Sequence, residues 1–150
     1  MELRQPRGQH LTCGDVMVPD PACCLPRDPV DLAAQLMEAE QVSSLPVVED
    51  LRGWRLVGIV TQSDLLTKVV AAGRDPKNTL VEEVMRHEPI ACRTEEDLDH
   101  ARLAMETHQL RHLPAVDDDR RVIGLVAYAD IAPRLDGSGR PSTAGEVAQR

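Results

Sequence analysis

The sequence predicts an α/β (α+β) fold in which two pseudo-symmetric β-α-β-β-α repeats pack as one module. Short apolar runs alternate with amphipathic helical patterns along most of the chain. The order of elements occurs twice, because Met37 and Met105 are 68 residues apart and lie at the same place in two helical patterns. Residues 58–64 have a degenerate copy at residues 124–130, so the second repeat is two residues shorter in a preceding turn. Repeats of this size need each other to bury a sufficient core.

The first repeat contains six predicted elements. They are a one-turn helix capped by Thr12, a strand at residues 22–25, a helix from Asp28 to about Glu40, strands at residues 45–48 and 56–60, and a helix over residues 62–72. Asp28 is the expected N-cap because Pro29 follows it at the first helical position. The inner helix positions are expected at Val30, Ala33, Ala34 and Met37, and then at Leu65, Leu66, Val69 and Val70.

The second repeat follows the same order after a polar linker at residues 73–78. Its predicted elements are a short helix capped by Thr79, a strand at residues 90–92, a helix capped by Thr94 that ends near His108, strands at residues 113–116 and 122–126, and a short helix after Asp130. Leu98, Ala101 and Met105 are expected on the inner face of the long helix. The predicted boundaries are a flexible N-terminus at residues 1–11, repeats at 12–72 and 79–135, and a disordered tail at 136–150.

Charge and apolar pattern restrict the class of protein. The formal net charge of -8 argues against binding to nucleic acid or to an anionic membrane surface, because both need basic patches. The sequence shows no apolar run as long as a membrane span and no signal peptide, so we expect a cytoplasmic protein. The sequence patterns of a nucleophile–base pair, a phosphate-binding glycine loop and a metal site are also missing, which argues against an enzyme.

The four cysteines are expected to be small, buried and reduced residues: Cys13, Cys23, Cys24 and Cys92. None belongs to a Cys-x-x-Cys pair, and a zinc site that draws on them and on the five histidines lacks the usual ligand spacing. Nothing near these cysteines predicts a lowered thiol pKa. A redox-responsive or metal-responsive protein is therefore the less favoured alternative.

Thr61 and Asp64 lie three residues apart where a strand meets a helix. This spacing is typical of a capping box, in which each side chain accepts the backbone N–H of the other residue. The unpaired N–H groups at the start of a helix also attract anions. The two residues by themselves leave both interpretations open.

Three motifs occur in the same order in each repeat. In the first repeat they are Val16-Met17, residues 42–48 (Val-Ser-Ser-Leu-Pro-Val-Val) and residues 58–64 (Gly-Ile-Val-Thr-Gln-Ser-Asp). In the second repeat they are Val84-Met85, residues 110–116 (Leu-Arg-His-Leu-Pro-Ala-Val) and residues 124–130 (Gly-Leu-Val-Ala-Tyr-Ala-Asp). From about residue 12 to residue 132, the chain thus resembles a tandem pair of cystathionine-β-synthase-type (CBS) domains, also called a Bateman module.

The resemblance implies a binding site for an adenine nucleotide or a related adenosyl ligand in the cleft between the repeats. In this family, the aspartate of the Gly-h-h-Thr/Ser-x-x-Asp motif (h being apolar) bonds the ribose hydroxyls, and the threonine or serine helps to hold the ribose or phosphate. Asp64 and Thr61 match these positions. The opposite repeat is expected to contribute Pro89, Ile90, Arg111, His112 and Pro114, with Arg111 or His112 on phosphate and Ile90 against the adenine.

A second, weaker site is implied on the other side of the cleft. It departs from the family pattern because Ala127 replaces the hydroxyl residue and no basic residue precedes Leu45 and Pro46. We expect an uncharged adenosyl ligand there, or none. The residues implied for this site are Ala22, Ser43, Ser44, Pro46 and Asp130. In the less specific alternatives, Asp130 caps a helix, Arg111 is a solvated surface charge and His112 is a structural residue.

The resemblance implies a stand-alone regulatory protein that senses cellular energy state and is not an enzyme. It would bind AMP, ADP or ATP, need no other cofactor, form a homodimer and signal to a regulated partner protein. The alternative is a ligand-free structural module that serves dimerisation.

Overall fold

The computed structural model describes residues 11–135. The predicted disordered tail at residues 136–150 and nearly all of the predicted flexible N-terminus lie outside the described residues. Within residues 11–135, helices and strands alternate in two similar sets, which confirms the predicted fold class.

The first set comprises six elements. They are α1 (Cys13–Val16), β1 (Val18–Pro19), α2 (Val30–Glu40), β2 (Ser44–Val48), β3 (Leu56–Thr61) and α3 (Gln62–Leu65), which continues as a π-helix over Leu66–Val70. Strands β2 and β3 form an antiparallel pair in which Ser44 faces Thr61. The strand predicted at residues 22–25 is reduced to one parallel bridge between Cys24 and Val47.

The second set repeats this order. It comprises α4 (Val81–Val84), β4 (Cys92–Arg93), α5 (Leu98–His108), β5 (His112–Val116), β6 (Val122–Ala127) and α6 (Tyr128–Ile131), which a 3-10 turn follows at Ala132–Arg134. Strands β5 and β6 are antiparallel, and β4 runs parallel to β5. The sheet order is β1-β6-β5-β4, so β1, which lies in the first repeat along the chain, pairs with the second repeat.

The segment that enters each repeat crosses over to the other repeat. Val18 of β1 faces Leu125 of β6, and Arg86 forms an antiparallel bridge with Ile59 of β3. Each crossing segment packs on a strand that has a glycine at the contact, Gly58 in β3 and Gly124 in β6, where a Cβ would be too close to the crossing segment. A Cβ at Gly58 would lie 2.5 Å from Met85 Sδ and 3.0 Å from the Arg86 carbonyl oxygen, and one at Gly124 would collide with Met17. These two exchanges hold the repeats together.

The inner helix faces confirm most of the predicted core. Met37 and Met105 are buried, as are Val30, Ala33, Leu98 and Ala101. Ala34 was wrongly predicted to be buried, since it lies on the exposed side of α2. The predictions for Leu66 and Val70 are also wrong, because their exposed fractions are 61% and 66%. Leu65 and Val69 pack on the core, and Leu66 and Val70, each one residue later, lie about a quarter of a turn further around the helix.

The helix starts were predicted correctly at Thr12 and Thr61. The other starts were predicted incorrectly; α6, for example, was expected after Asp130 and begins at Tyr128. Helix α2 begins at Val30 after Pro29, because the Asp28 carboxylate accepts the Leu25 N–H (2.8 Å) and closes the preceding turn. Helix α5 begins at Leu98, one turn later than a cap at Thr94 would place it. The Thr79 hydroxyl donates to the Asp75 carbonyl instead of capping α4. Asp28 and Thr79 thus bond within the preceding turns, and Thr94 lies four residues before the first residue of α5.

Crossing a membrane would require a longer and more apolar helix than any found among residues 11–135.

Candidate functional site

Thr61 and Asp64 form the capping box that their spacing predicts. The Thr61 hydroxyl oxygen accepts the Asp64 N–H, and the Asp64 carboxylate accepts the Thr61 N–H, both at 3.0 Å. Both residues are buried, with 6% and 4% of their surfaces exposed. The pair therefore defines the start of α3 whether or not a ligand is bound.

Two cations compensate the buried Asp64 carboxylate. Lys68 Nζ lies 3.3 Å from Asp64 Oδ1, and Arg86 Nε lies 3.5 Å from Asp64 Oδ2. Lys68 Nζ also donates to the Val84 carbonyl (3.0 Å), at the end of α4. The motif of the first repeat is thereby connected to the segment that enters the second repeat.

Arg86, which contacts this carboxylate, also lines a small cavity of about 240 Å³. Pro89 and Ile90 line it, together with Ile59 of β3 and the side chains of Arg86 and Glu88. Two residues of the implied adenine pocket are thus found beside Arg86, which itself contacts the implied ribose residues Thr61 and Asp64.

Arg111 and His112 lie in a larger cavity of about 890 Å³ between the repeats. Residues of both repeats line it. They include Met37, Glu38, Gln41, Ser43 and Gln62 from the first repeat and Arg111, His112, Ala127 and Tyr128 from the second. Gln62 directly follows Thr61, so this cavity begins next to the capping box of the first repeat. Pro114, the last residue implied for the first site, is buried in β5 opposite Leu125.

His112 is held against the first repeat in its neutral form. Its Nδ1 atom lies 3.1 Å from Ser43 Oγ and accepts the Ser43 N–H at 3.5 Å. Burial lowers the pKa of His112, an effect that the Asp130 carboxylate opposes and the neighbouring Arg111 strengthens. At neutral pH His112 therefore supplies a hydrogen-bonding group, and Arg111 supplies the positive charge at this end of the cavity.

The residues implied for the second site are spread over several environments. Ser43 and Ala127 line the larger cavity and therefore share it with Arg111 and His112. Ser44 and Pro46 are buried in β2, and Ala22 is partly buried against the core of the first repeat. Asp130 lies in α6 and is exposed. The structure thus brings residues of the two implied sites together in one cleft.

The prediction that the four cysteines are buried is confirmed for three of them and is wrong for Cys23, which is partly exposed. Cys13, Cys24 and Cys92 are buried, and burial raises the pKa of both Cys23 and Cys24 to about 12. The hydrogen bond between Cys13 and Cys92 raises the pKa of Cys92, as burial also does, and lowers the pKa of Cys13. The expectation that no thiol pKa is lowered is therefore wrong for Cys13. The thiols of Cys23, Cys24 and Cys92 are therefore protonated at neutral pH, a state that is poorly reactive and binds metal weakly. No group of three or more metal-binding side chains was found in the part of the chain that the structure describes.

Arg86 and Lys68 contact the implied site but were missed from the sequence. Lys68 follows Asp64 by four residues, a spacing that brings two side chains together on a helix. Arg86 lies 68 residues after Val18, so a comparison of the repeats could have identified it as a charge that only the second repeat carries. Its position opposite Asp64 depends on the crossing between the repeats, which the sequence did not indicate.

The profile of the CBS domain family matches residues 13–71 and 81–137 of this chain. The chain belongs to the CBS domain family, and its two matched regions form a CBS pair. The CBS domain-containing protein YhcV of Bacillus subtilis is 36% identical over 118 residues, which are 79% of this chain and 81% of that protein. Hypoxic response protein 1 of Mycobacterium tuberculosis is 31% identical over 124 residues, with 83% and 85% of the two chains covered.

Another relative is much longer than the match. The homoserine O-acetyltransferase of Methanohalobium evestigatum is 33% identical over 127 residues, which are 85% of this chain but only 24% of the enzyme. The similarity therefore concerns a quarter of that enzyme.

Solved CBS-pair structures share the fold. The crystal structure of Hypoxic Response Protein I with two coordinated zinc ions has a TM-score of 0.73 at 30% identity and covers 83% of this chain and 99% of that one. CBSX2 of Arabidopsis thaliana in complex with AMP has a TM-score of 0.66 at 29% identity, with coverages of 81% and 93%. The CBS domain pair of protein MJ0100, solved with 5'-methylthioadenosine and S-adenosyl-L-methionine, has a TM-score of 0.67 at 30% identity, with coverages of 80% and 91%.

Proposed function

We propose that this protein is a regulatory CBS pair that binds an adenine nucleotide, AMP, ADP or ATP, in the cleft between its repeats. The observation that carries this proposal is the cavity of about 890 Å³ between the repeats, which contains Arg111 and His112 and begins beside Thr61. Its volume lies within the range of about 300–1,000 Å³ that small-molecule sites occupy. The AMP complex of CBSX2 and the adenosyl complexes of MJ0100 support this class of ligand.

In this proposal the two cavities receive different parts of the nucleotide. The adenine lies against Ile90 in the smaller cavity, and the ribose reaches Thr61 and Asp64, both of which contact Arg86 of that cavity. The phosphate extends toward Arg111, which is exposed and positively charged, and His112 donates or accepts a hydrogen bond there. The second site, around Ser43 and Asp130, takes an uncharged adenosyl ligand or none.

The proposed output is regulation of a partner protein rather than catalysis. YhcV and Hypoxic response protein 1 match this chain over most of their own lengths, so the CBS pair accounts for most of each. A ligand that binds the folded module stabilises the conformation to which it binds, and a partner that contacts that conformation can respond to it. Energy sensing follows if AMP and ATP bind with different affinities.

The proposal predicts that Arg111→Ala weakens AMP binding about tenfold or more, since losing a hydrogen bond to a charged group costs about 1.5–3 kcal/mol. Adenosine binding should be unchanged because adenosine carries no phosphate. Calorimetric titration of wild type and variant with both ligands measures this. Arg52→Ala is the matched control, because Arg52 is an exposed arginine in the turn at the opposite end of the β2–β3 pair.

Two results would contradict the proposal in different ways. Equal losses of AMP and adenosine affinity in Arg111→Ala would remove the phosphate role of Arg111. A wild-type protein that gives no binding heat with AMP, ADP or ATP would leave the ligand-free dimerisation module as the better description.

We also propose that two copies of this chain form a homodimer through the exposed apolar face of the π-helix. Leu66 and Val70 are more than half exposed there, although their apolar character suits a buried surface. Light scattering at micromolar concentration should give the mass of a dimer for wild type and of a monomer for the Leu66→Glu/Val70→Glu double variant. A monomeric wild type, or a double variant that remains dimeric, would refute this interface.

A further inference from the structure

The Arg86 side chain occupies the place at which a ligand would reach Thr61 and Asp64. Its Nε atom lies 3.5 Å from Asp64 Oδ2, and its Nη2 atom lies 3.5 Å from the Thr61 hydroxyl. Its Nη1 atom donates to the His108 carbonyl at 3.2 Å, at the carboxyl end of α5. One guanidinium thus contacts both side chains of the capping box and the end of a helix in the other repeat.

The backbone of Arg86 is anchored, so only its side chain has freedom to leave. The Arg86 N–H donates to the Ile59 carbonyl (2.8 Å), and the Ile59 N–H donates to the Arg86 carbonyl (3.1 Å). The crossing over Gly58 holds this segment close to β3. By contrast, about a third of the side chain is exposed, and an arginine side chain contains several rotatable bonds. A rotamer change can therefore free the guanidinium without any change in the fold.

Asp64 is inaccessible while Arg86 stays in place. Its carboxylate already faces Thr61 N–H, Lys68 Nζ and Arg86 Nε, and only 6% of its side chain is exposed. The neighbouring cavity of about 240 Å³, which Arg86 lines, is smaller than the range of about 300–1,000 Å³ that is usual for ligand sites. A ribose can bond Asp64 only after the guanidinium has moved.

We propose that Arg86 is an internal occupant of the Thr61/Asp64 site, which an incoming nucleotide displaces, and that the displaced guanidinium then binds the nucleotide's phosphate. The inference rests on the proposed function and deepens it. A guanidinium that leaves a carboxylate loses a charged partner, and only an anionic ligand replaces that partner. Arg86 therefore makes the site select phosphate-bearing adenosyl ligands over neutral ones.

The segment that enters the first repeat has no arginine at the equivalent position. Val18 occupies the position equivalent to Arg86, 68 residues earlier, and faces Leu125 of β6 as Arg86 faces Ile59 of β3. A valine neither pairs with a carboxylate nor binds phosphate. The two halves of the cleft therefore differ at two positions. The second repeat has Ala127 where the first has Thr61, and the first repeat has Val18 where the second has Arg86.

The test compares adenosine and AMP binding to wild type, Arg86→Gln and Arg86→Val, the last of which introduces the residue of the first repeat. Removing the occupant should tighten adenosine binding about tenfold, the effect of about one charged hydrogen bond, and leave AMP binding unchanged or weaker. Arg93→Gln is the matched control, because Arg93 is also partly exposed and also pairs with carboxylates, Glu95 and Asp118, at a different surface. It should leave both affinities unchanged.

The proposal is overturned if adenosine binds no more tightly to either Arg86 variant, with circular dichroism showing that at least one of them is folded. A crystal structure of the AMP complex in which Arg86 Nε still contacts Asp64 would also overturn it, and this measurement does not depend on the variants. The experiment also separates this proposal from the proposed function. If the proposed function is wrong, wild type binds no nucleotide. Even then, adenosine binding gained by Arg86→Gln supports the role of Arg86 as an occupant of the site, and no gain overturns that role.

Discussion

Met105→Ala is expected to lower the free energy of unfolding by about 2–5 kcal/mol, the usual range when a long buried side chain is removed from a core. Met105 is fully buried on the inner face of α5, in the same apolar cluster as Leu98, Leu113 and Ile131. The truncation removes these contacts and leaves a cavity that rigid neighbours fill poorly. Urea denaturation, followed by circular dichroism, measures the loss.

Leu103→Ala is the matched control for this prediction. Leu103 lies two residues away on the same helix, but more than half of its surface is exposed. Its truncation should change the free energy of unfolding by about 0.5 kcal/mol or less, as is usual for surface positions. Similar losses in the two variants would contradict the assignment of the inner face of α5.

Asp64→Ala is expected to lower the free energy of unfolding by roughly 2–4 kcal/mol. The substitution removes a helix cap, worth about 1 kcal/mol. It also removes hydrogen bonds between charged groups, worth about 1.5–3 kcal/mol. Because Lys68 and Arg86 are partly exposed, they regain some hydration, which keeps the loss below that of a fully buried ion pair. Thermal and urea denaturation measure the effect.

Asp130→Ala provides the comparison within the same chain. Asp130 has the equivalent motif position, but it is exposed and α6 has no side-chain cap bond. We expect a loss below about 1 kcal/mol. A stability loss at Asp130 as large as that at Asp64 would contradict the difference in burial between the two motifs. A stable Asp64→Ala protein that no longer binds AMP would show that Asp64 serves the ligand and contributes little to the fold.

The stability role of Asp64 affects how binding experiments are interpreted. A variant that both destabilises α3 and removes a ribose contact loses affinity for two reasons. Arg111 separates these effects, because its side chain is exposed. Arg86 is partly exposed, but it also donates to the His108 carbonyl at the end of α5 and pairs with Asp64. Substitution of Arg111 therefore tests the ligand site with little change in the fold, and the Arg86 variants are compared with wild type only after circular dichroism shows that they are folded.

The sequence by itself determined the repeat, the order of its elements and most of the core. These features depend on local patterns: Thr61 and Asp64 are close enough along the chain to cap each other, and Met37 and Met105 lie at helical spacing within apolar stripes. The family also follows from motif order, which is a property of the chain alone. Several helix starts were less predictable, since Asp28 and Thr79 bond to neighbours outside the helices.

Only the tertiary structure decided which residues of the two repeats meet. The pairing of β1 with β6 and of Arg86 with Ile59 joins segments that are far apart in sequence, and no local pattern specifies such contacts. The same crossings place Arg86 against Asp64 and leave Arg111 and His112 in the larger cavity. The sequence shows which charged side chains are present. The path of the backbone between the repeats determines that Arg86, and not Arg111, reaches the Asp64 carboxylate.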